Sequence, residues 1–320
     1  MGFTSNHIRF PSLALLLTLT VLSPTIASPN DPPASPSASP SIKPFDCGTN
    51  TEHAPKDFLD AISNLHSSKL RRDASAGGAA HAGYTARSAQ GTETSSFVVD
   101  TVFHIIATDS TKADITDDMP SAQLDVLNES YSPYGISFNL LNVTWNKNPA
   151  WATGTGNADK EMKKALRQGT YATLNIYFQT ELAGGVLGRC TLPSSVGPAD
   201  DPVPAELYFT DGCNVNANTM PAGLLDGYNA GKTAVHETGH WLGLLHTCEG
   251  NSCEGPGDYI EDTAPERESS EGCPKGKSTC GEVDPIHNYM DYSEDACYEG
   301  FSEGQRGRMH KLWREFREGR

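Results

Sequence analysis

Positive charge is scarce in this sequence of 320 residues: 24 Lys and Arg stand against 40 Asp and Glu, which leaves a net charge of −16. A field of that sign repels polyphosphates and anionic headgroups, so neither nucleic acid nor a membrane surface is expected as a partner. Long apolar runs are also missing. The most apolar stretch, Leu13–Leu22, is interrupted by two threonines and reaches about half of the roughly 20 residues that span a bilayer. No internal repeat is visible, which excludes a repeat architecture. Cysteine is not scarce. Eight of them, with 30 Gly and 21 Pro, fit a chain folded in an oxidising compartment.

The N-terminus agrees with that compartment. Met1–Ala27 holds one formal charge, Arg9, then the Leu13–Leu22 run and a small-residue exit at Thr25-Ile26-Ala27. Residues 1–27 read as a cleaved secretory signal, since the run is too short for a membrane anchor, and the expected location is extracellular. Ser28–Pro44 is Pro, Ser and Ala with almost nothing to bury, which reads as a disordered tether. Phe58, Leu59, Ile62 and Leu65 then fall at helical spacing over Lys56–Leu70. That segment is expected to end at the exposed dibasic stretch Lys69-Leu70-Arg71-Arg72, of the kind processing proteases cut, before an Ala/Gly/Ser-rich stretch at Ala74–Ser96. Residues 28–95 are therefore read as tether and pro-segment, an ordinary disordered extension being the plainer alternative. The folded domain is expected over 96–320.

Strand-like runs occur at Phe97–Val99 with Val102–Ile106, at Ile136–Trp145 and at Ala172–Phe178. Between them, Leu124, Leu127, Tyr131 and Tyr134 mark a helix that starts at Ser121 and closes at Gly135, and Ala158–Gln168 marks a second. The alternation implies an α/β (α+β) fold with helices packed on a twisted sheet. Two sequons, at Asn128 and Asn142, are glycan acceptors, the first of them inside the expected helix.

The chemistry is concentrated in His236-Glu237-Thr238-Gly239-His240-Trp241-Leu242-Gly243-Leu244-Leu245-His246. His236 and His240 are one helical turn apart and can hold one ion. Gly243 can adopt φ > 0, end the helix and return the chain so that His246 supplies a third nitrogen. Three imidazoles leave a fourth position for water, the mark of a catalytic rather than a structural zinc. Glu237 is then placed to take the proton of that water, whose pKa zinc lowers toward roughly 7. Unrelated histidines on an amphipathic helix are a poor alternative, because ten His in the whole chain seldom meet at these fixed offsets. Copper, nickel or iron also bind imidazole, but metal supply and the adjacent Glu favour zinc.

These residues, with Met290 in Asn288-Tyr289-Met290-Asp291-Tyr292 some distance downstream, resemble the metzincin metalloendopeptidases, which carry an extended zinc motif and a methionine turn beneath the metal. Without the histidines, Met290 would read as core filler. Within that group, Gly239–Leu245, Asp284–Tyr292 and Tyr134–Phe138 resemble the pappalysin family, in particular its small secreted microbial members related to ulilysin. The resemblance covers about Val98–Gln305. It implies a zincin whose sheet-bearing N-terminal lobe, active-site helix and irregular, disulfide-braced C-terminal lobe flank the zinc. It also implies that Tyr292 donates to the tetrahedral intermediate, a packed tyrosine being the bland alternative, and that Gly184–Gly188 is the edge strand on which a peptide pairs. His104 and His287 match no ligand position and read as structural.

Cys253, Cys273, Cys280 and Cys297 lie in a long acidic, Gly- and Pro-rich loop that needs staples. Spacing alone leaves three connectivities open; the resemblance implies Cys253 with Cys280 and Cys273 with Cys297. Cys190 and Cys213 flank a loop and can pair, which leaves Cys248 and Cys47. Cys47-Gly48-Thr49 resembles a short pro-segment motif that keeps some relatives latent by placing a thiolate at the open zinc position, although Asp46 stands where a basic residue often precedes. A Cys47–Cys248 disulfide is the open alternative. Asp258, Asp262 and Thr263 offer oxygens to a calcium ion, as relatives bind calcium near here; a solvated acidic loop accounts for them equally well. The whole reads as a secreted, monomeric zinc endopeptidase acting on proteins or peptides. The alternatives are a catalytically silent binding protein on the same fold and a zinc hydrolase of a non-peptide substrate.

Overall fold

The computed structural model describes residues 45–49, 51–77, 96–197 and 201–320. The signal expected over 1–27, the tether up to residue 44 and most of the Ala/Gly/Ser-rich linker lie outside them. The described chain runs α1 (Lys56–Gly77), β1 (Phe97–Ala107), α2 (Met119–Tyr131), β2 (Ile136–Lys147), α3 (Pro149–Thr153), α4 (Gly156–Leu166), β3 (Leu174–Gln179), β4 (Gly188–Cys190), α5 (Ala205–Thr210), β5 (Cys213–Asn216), α6 (Lys232–Trp241) and α7 (Glu303–Leu312). Helix α1 continues through Arg71-Arg72 and does not stop there. Nothing in the segment breaks it, since Ser, Lys, Leu, Arg and Ala are all compatible with a helix.

Five strands form one sheet in the order β2-β1-β3-β5-β4. β1 pairs in parallel with β2 and β3, and β3 with β5, while β4 lies antiparallel on β5 at the edge. Central β3 is buried along its whole length, as a parallel strand covered on both faces should be, and its two polar residues are bonded inside, Asn175 to His104 and Gln179 to Asn214. The edge strand begins at Gly188, later than the glycine-rich segment suggests. Gly184 and Gly185 have φ of 94° and 78°, a left-handed geometry that makes a turn rather than a strand.

Helix α2 opens with Pro120 in its first turn, and the chain leaves it through a short 3₁₀ turn ended by Gly135 at φ 75°. Its buried face ties sheet to active-site helix: Gln123 Nε2 donates to the Gly231 carbonyl at 3.0 Å and Tyr131 Oη to that of Val235 at 2.8 Å. The Asn128 side chain exchanges hydrogen bonds with the Phe138 main chain, 2.8 Å to its N–H and 3.2 Å to its carbonyl. The nitrogen of that sequon is thus already engaged. His104 lies buried within the sheet, stacked on Tyr177 and bonded to Thr144 and Asn175, a structural arrangement.

Beyond residue 246 regular structure almost ceases until α7. That lobe is held by disulfides Cys253–Cys280 and Cys273–Cys297 and by the buried Glu266, whose Oε1 accepts from Lys277 Nζ at 2.8 Å. A third disulfide joins Cys190 in β4 to Cys213 in β5, and Cys47 and Cys248 are free thiols. Among the described residues no helix is long and apolar enough to cross a membrane.

Candidate metal centre

Helix α6 follows Gly231, at φ 84°, and is buried from Thr233 to Trp241. Gly239 is required where the methionine turn presses against this helix: a Cβ there would lie 2.5 Å from Met290 Sδ. The helix ends at Gly243, whose φ of 93° and bond from its N–H to the His240 carbonyl at 2.8 Å reverse the chain toward His246.

That reversal brings the three imidazoles together. Nε2 of His240 lies 3.2 Å from Nε2 of His236 and 3.0 Å from Nε2 of His246. Two of the opposite ring nitrogens are hydrogen-bonded: Nδ1 of His236 donates to the Tyr289 carbonyl at 2.8 Å and Nδ1 of His240 to that of Leu244 at 2.9 Å, while Nδ1 of His246 lies 3.8 Å from the Glu249 carboxylate. Such bonds set the tautomer and turn the Nε2 lone pairs toward one point. Burial lowers all three histidines, His240 to about 4, so they are neutral at physiological pH. Cys47 Sγ closes the group 3.5 Å from His240 Nε2, and the four donor atoms lie within 4.8 Å of one another.

Glu237 lies beside this group with no exposed surface. Its Oε2 accepts from Thr49 Oγ1 at 3.2 Å, and its Oε1 has no hydrogen-bond partner. Burial pushes its carboxyl up to about 8 against the opposing pull of Cys47, Thr49 and Arg189. The Tyr292 hydroxyl is 3.2 Å from His246 Nε2, and burial, then Cys47, raise its pKa.

A family model described as pregnancy-associated plasma protein-A, a group of peptidases, matches residues 156–313. Extracellular metalloprotease 1 of Coccidioides posadasii is 47% identical over 226 residues, covering 69% of this chain and 79% of that protein. The chain belongs to the pappalysin family of metalloproteases. An extracellular metalloprotease of Neurospora crassa is 38% identical over 297 residues, spanning 91% of this chain and 96% of its own. Mature mirolysin of Tannerella forsythia, solved with a cleaved peptide, is 27% identical with a TM-score of 0.56, over 68% of this chain and 92% of that one. This pappalysin is accordingly a metalloendopeptidase of the metzincin fold, and no observation favours the catalytically silent reading.

Of the residues singled out in the sequence, His236, Glu237, His240, His246, Met290, Tyr292 and Cys47 meet at this centre. Asp258, Asp262 and Thr263 do not all converge. Asp258 Oδ1 accepts from Thr263 Oγ1 at 2.8 Å and from the Ile260 N–H at 2.9 Å. Asp262 instead turns to the start of α7, accepting from Ser302 Oγ at 2.7 Å and the Gly304 N–H at 2.8 Å.

Three neighbours of the site are not singled out by the sequence as site residues, although Thr49 belongs to the Cys47-Gly48-Thr49 motif and Gly188 to the segment read as an edge strand. Phe45 is buried with its ring centroid 4.8 Å from that of His236 and 5.1 Å from that of Tyr292. The Thr49 hydroxyl donates to Glu237 and accepts from the Cys190 N–H at 2.9 Å. Gly188 leaves room for Glu237, since a Cβ there would lie 2.5 Å from its Cγ. The motif around Cys47 already contains Thr49, whereas a lone phenylalanine such as Phe45 has no such mark.

Proposed function

We propose that the chain is a secreted zinc endopeptidase made as a latent precursor, with residues 1–27 a signal, 28–95 tether and pro-segment, and 96–320 the catalytic domain. The observation that carries the reading is the convergence of three neutral imidazole nitrogens beside a buried carboxylate with an unpartnered oxygen. A neutral His₃ set, two of its rings fixed through Nδ1, and a buried acid fit zinc better than magnesium or calcium, which prefer oxygen. The names of the curated relatives support an extracellular location.

Zinc held there would acidify a water and polarise the peptide carbonyl. The chain's own groups do the rest. Glu237 takes the proton of the attacking water and passes it to the leaving amine. Tyr292 keeps its proton and donates to the oxygen that gains charge. The main chain at Leu187–Gly188 lines up an extended peptide, and in the precursor it already holds one: the Leu187 N–H donates to the Asp46 carbonyl and the Gly48 N–H to that of Gly188, both at 2.8 Å. Of the three residues read as calcium ligands, the buried, unpartnered Asp258 Oδ2 is the one oxygen that supports calcium here, since Asp262 faces α7 instead.

The test is proteolysis by the secreted, processed protein. Casein is expected to be cut, the activity lost to a chelator and regained with zinc; failure of intact, processed protein to cut any peptide would sink the reading. Latency has its own test, because Cys47 Sγ supplies the fourth donor. A cation at the imidazoles would stabilise the thiolate that burial and Glu237 otherwise disfavour. The Cys47→Ser precursor is expected to cleave a fluorogenic peptide at least about tenfold faster than the unprocessed parent, the effect of losing as little as about 1.4 kcal/mol of anchoring. Equal rates would remove Cys47 from that role.

A further inference from the structure

We infer that helix α1 is a second anchor of the pro-segment, docked in an apolar groove away from the cleft, and that it keeps the Cys47 strand seated after the chain between α1 and β1 has been cut. The inference rests on the reading of residues 45–77 as pro-segment.

Phe58, Ile62, Leu65 and Lys69 fall on one stripe of α1, at steps of four, three and four residues. Phe58 and Ile62 have no exposed surface and pack with Leu192, Leu245, Leu312 and Phe316. Further along, Leu65 packs against the same cluster, His66 meets the Tyr259 ring edge-on at 6.1 Å and Lys69 Nζ pairs with Glu261 at 3.2 Å. At the start of the helix the Asp57 carboxylate accepts from the Ser195 N–H. The groove thus draws on the segment after β4, the residue before the third histidine, the 259–261 turn and the C-terminal helix. None of these contacts touches the cleft filled by residues 45–49.

Two anchors on one short chain act as a bivalent ligand. Residues 50–55 join them, so while either holds, the other faces its site at high effective concentration, and avidity exceeds that of one anchor by about 10²–10⁴. The dibasic pair Arg71-Arg72 lies beyond Lys69, the last groove contact described. Cleavage there, or anywhere toward residue 95, leaves both anchors on the same fragment. Such a cut does not open the cleft; release needs a second cut between the anchors, around the exposed Glu52, or loss of the helix.

The experiment uses the full-length precursor with a site for a sequence-specific protease placed within residues 84–90. After cutting, the parent fragment is expected to co-elute with the catalytic domain on size exclusion, with activity on a fluorogenic peptide still at the uncut level. With Phe58→Asp and Ile62→Asp combined, the cut fragment is expected to separate and activity to rise about a hundredfold. Dissociation of the parent fragment, or its retention in the double variant, would overturn the anchor. Should the double variant not fold, synthetic peptides decide: residues 45–71 are expected to inhibit the mature enzyme at a concentration about a hundredfold lower than residues 45–52, and equal potency would overturn the inference. A cut Cys47→Ser precursor that holds its fragment yet is inactive would retire the latency role of Cys47 and leave the anchor supported.

Discussion

Glu237→Gln is expected to lower kcat for peptide cleavage by about 10²–10⁴ while the purified protein binds as much zinc as the parent. The side chain is not among the converging donors, so the amide leaves the three imidazoles in place. What is lost is the group that accepts a proton. Glutamine is nearly isosteric and can keep the bond from the Thr49 hydroxyl, which now runs to Oε2, so folding of the precursor is little changed. Metal content by elemental analysis separates this from trivial loss of the ion. Retained activity with full zinc would mean that another base serves.

The second large effect concerns stability. Asp211 follows α5 in a buried position, and its carboxylate accepts from Arg317 at 3.0 and 3.2 Å, from Trp241 Nε1 at 3.0 Å and from Thr191 Oγ1 at 2.9 Å, with Arg167 3.2 Å away. Arg317 also lies over the Trp241 ring, 3.6 Å from its centroid. One acid therefore ties the end of the active-site helix to the residue following β4, to the loop before β3 and to the C-terminus. A buried pair adds little over a well-packed apolar substitute, but removing one partner strands the other charge, and here two guanidiniums are stranded. Asp211→Ala is expected to cost about 3–5 kcal/mol, read from denaturant unfolding of the metal-free protein.

Burial alone would raise the Asp211 carboxyl, but Arg317 and then Arg167 outweigh it and hold the pKa below its ordinary value of 3.8. A depressed folded pKa gives stability that is complete above the unfolded value of about 3.9 and is lost as pH falls through the folded one. The parent should thus lose this contribution in acid, below about pH 4, and the Asp211→Ala variant should lack that part of the slope.

The spacing of His236 and His240 was enough to put both on one helical face, and Gly243 to bring His246 back to them, because a helix and a left-handed glycine are local facts. Three of the five strands were legible for the same reason, through short β-branched runs alternating with helical periods, whereas the three-residue β4 and four-residue β5 are too short to show such a run. Contacts across the fold left no such trace. Phe45 and Thr49 reach residues nearly two hundred positions away, and Asp211 is one acid among 40 until Arg167 and Arg317 are brought to it. The reach of α1 beyond Leu70 was missed because a dibasic pair suggests exposure, whereas arginine is itself a good helix former.

The bridges Cys253–Cys280 and Cys273–Cys297 interleave in sequence. A protease works among copies of itself, and the stretch around them, almost without helix or strand, is the natural place for one copy to digest another. To be cut, a segment must first straighten across several residues in the other molecule's cleft. Interleaved links prevent either loop from opening alone, and Lys277, inside their overlap, is held to Glu266 just before it. The bracing is thus expected to slow self-digestion, and its loss under reduction should shorten the lifetime of the enzyme before it alters the rate of each turnover.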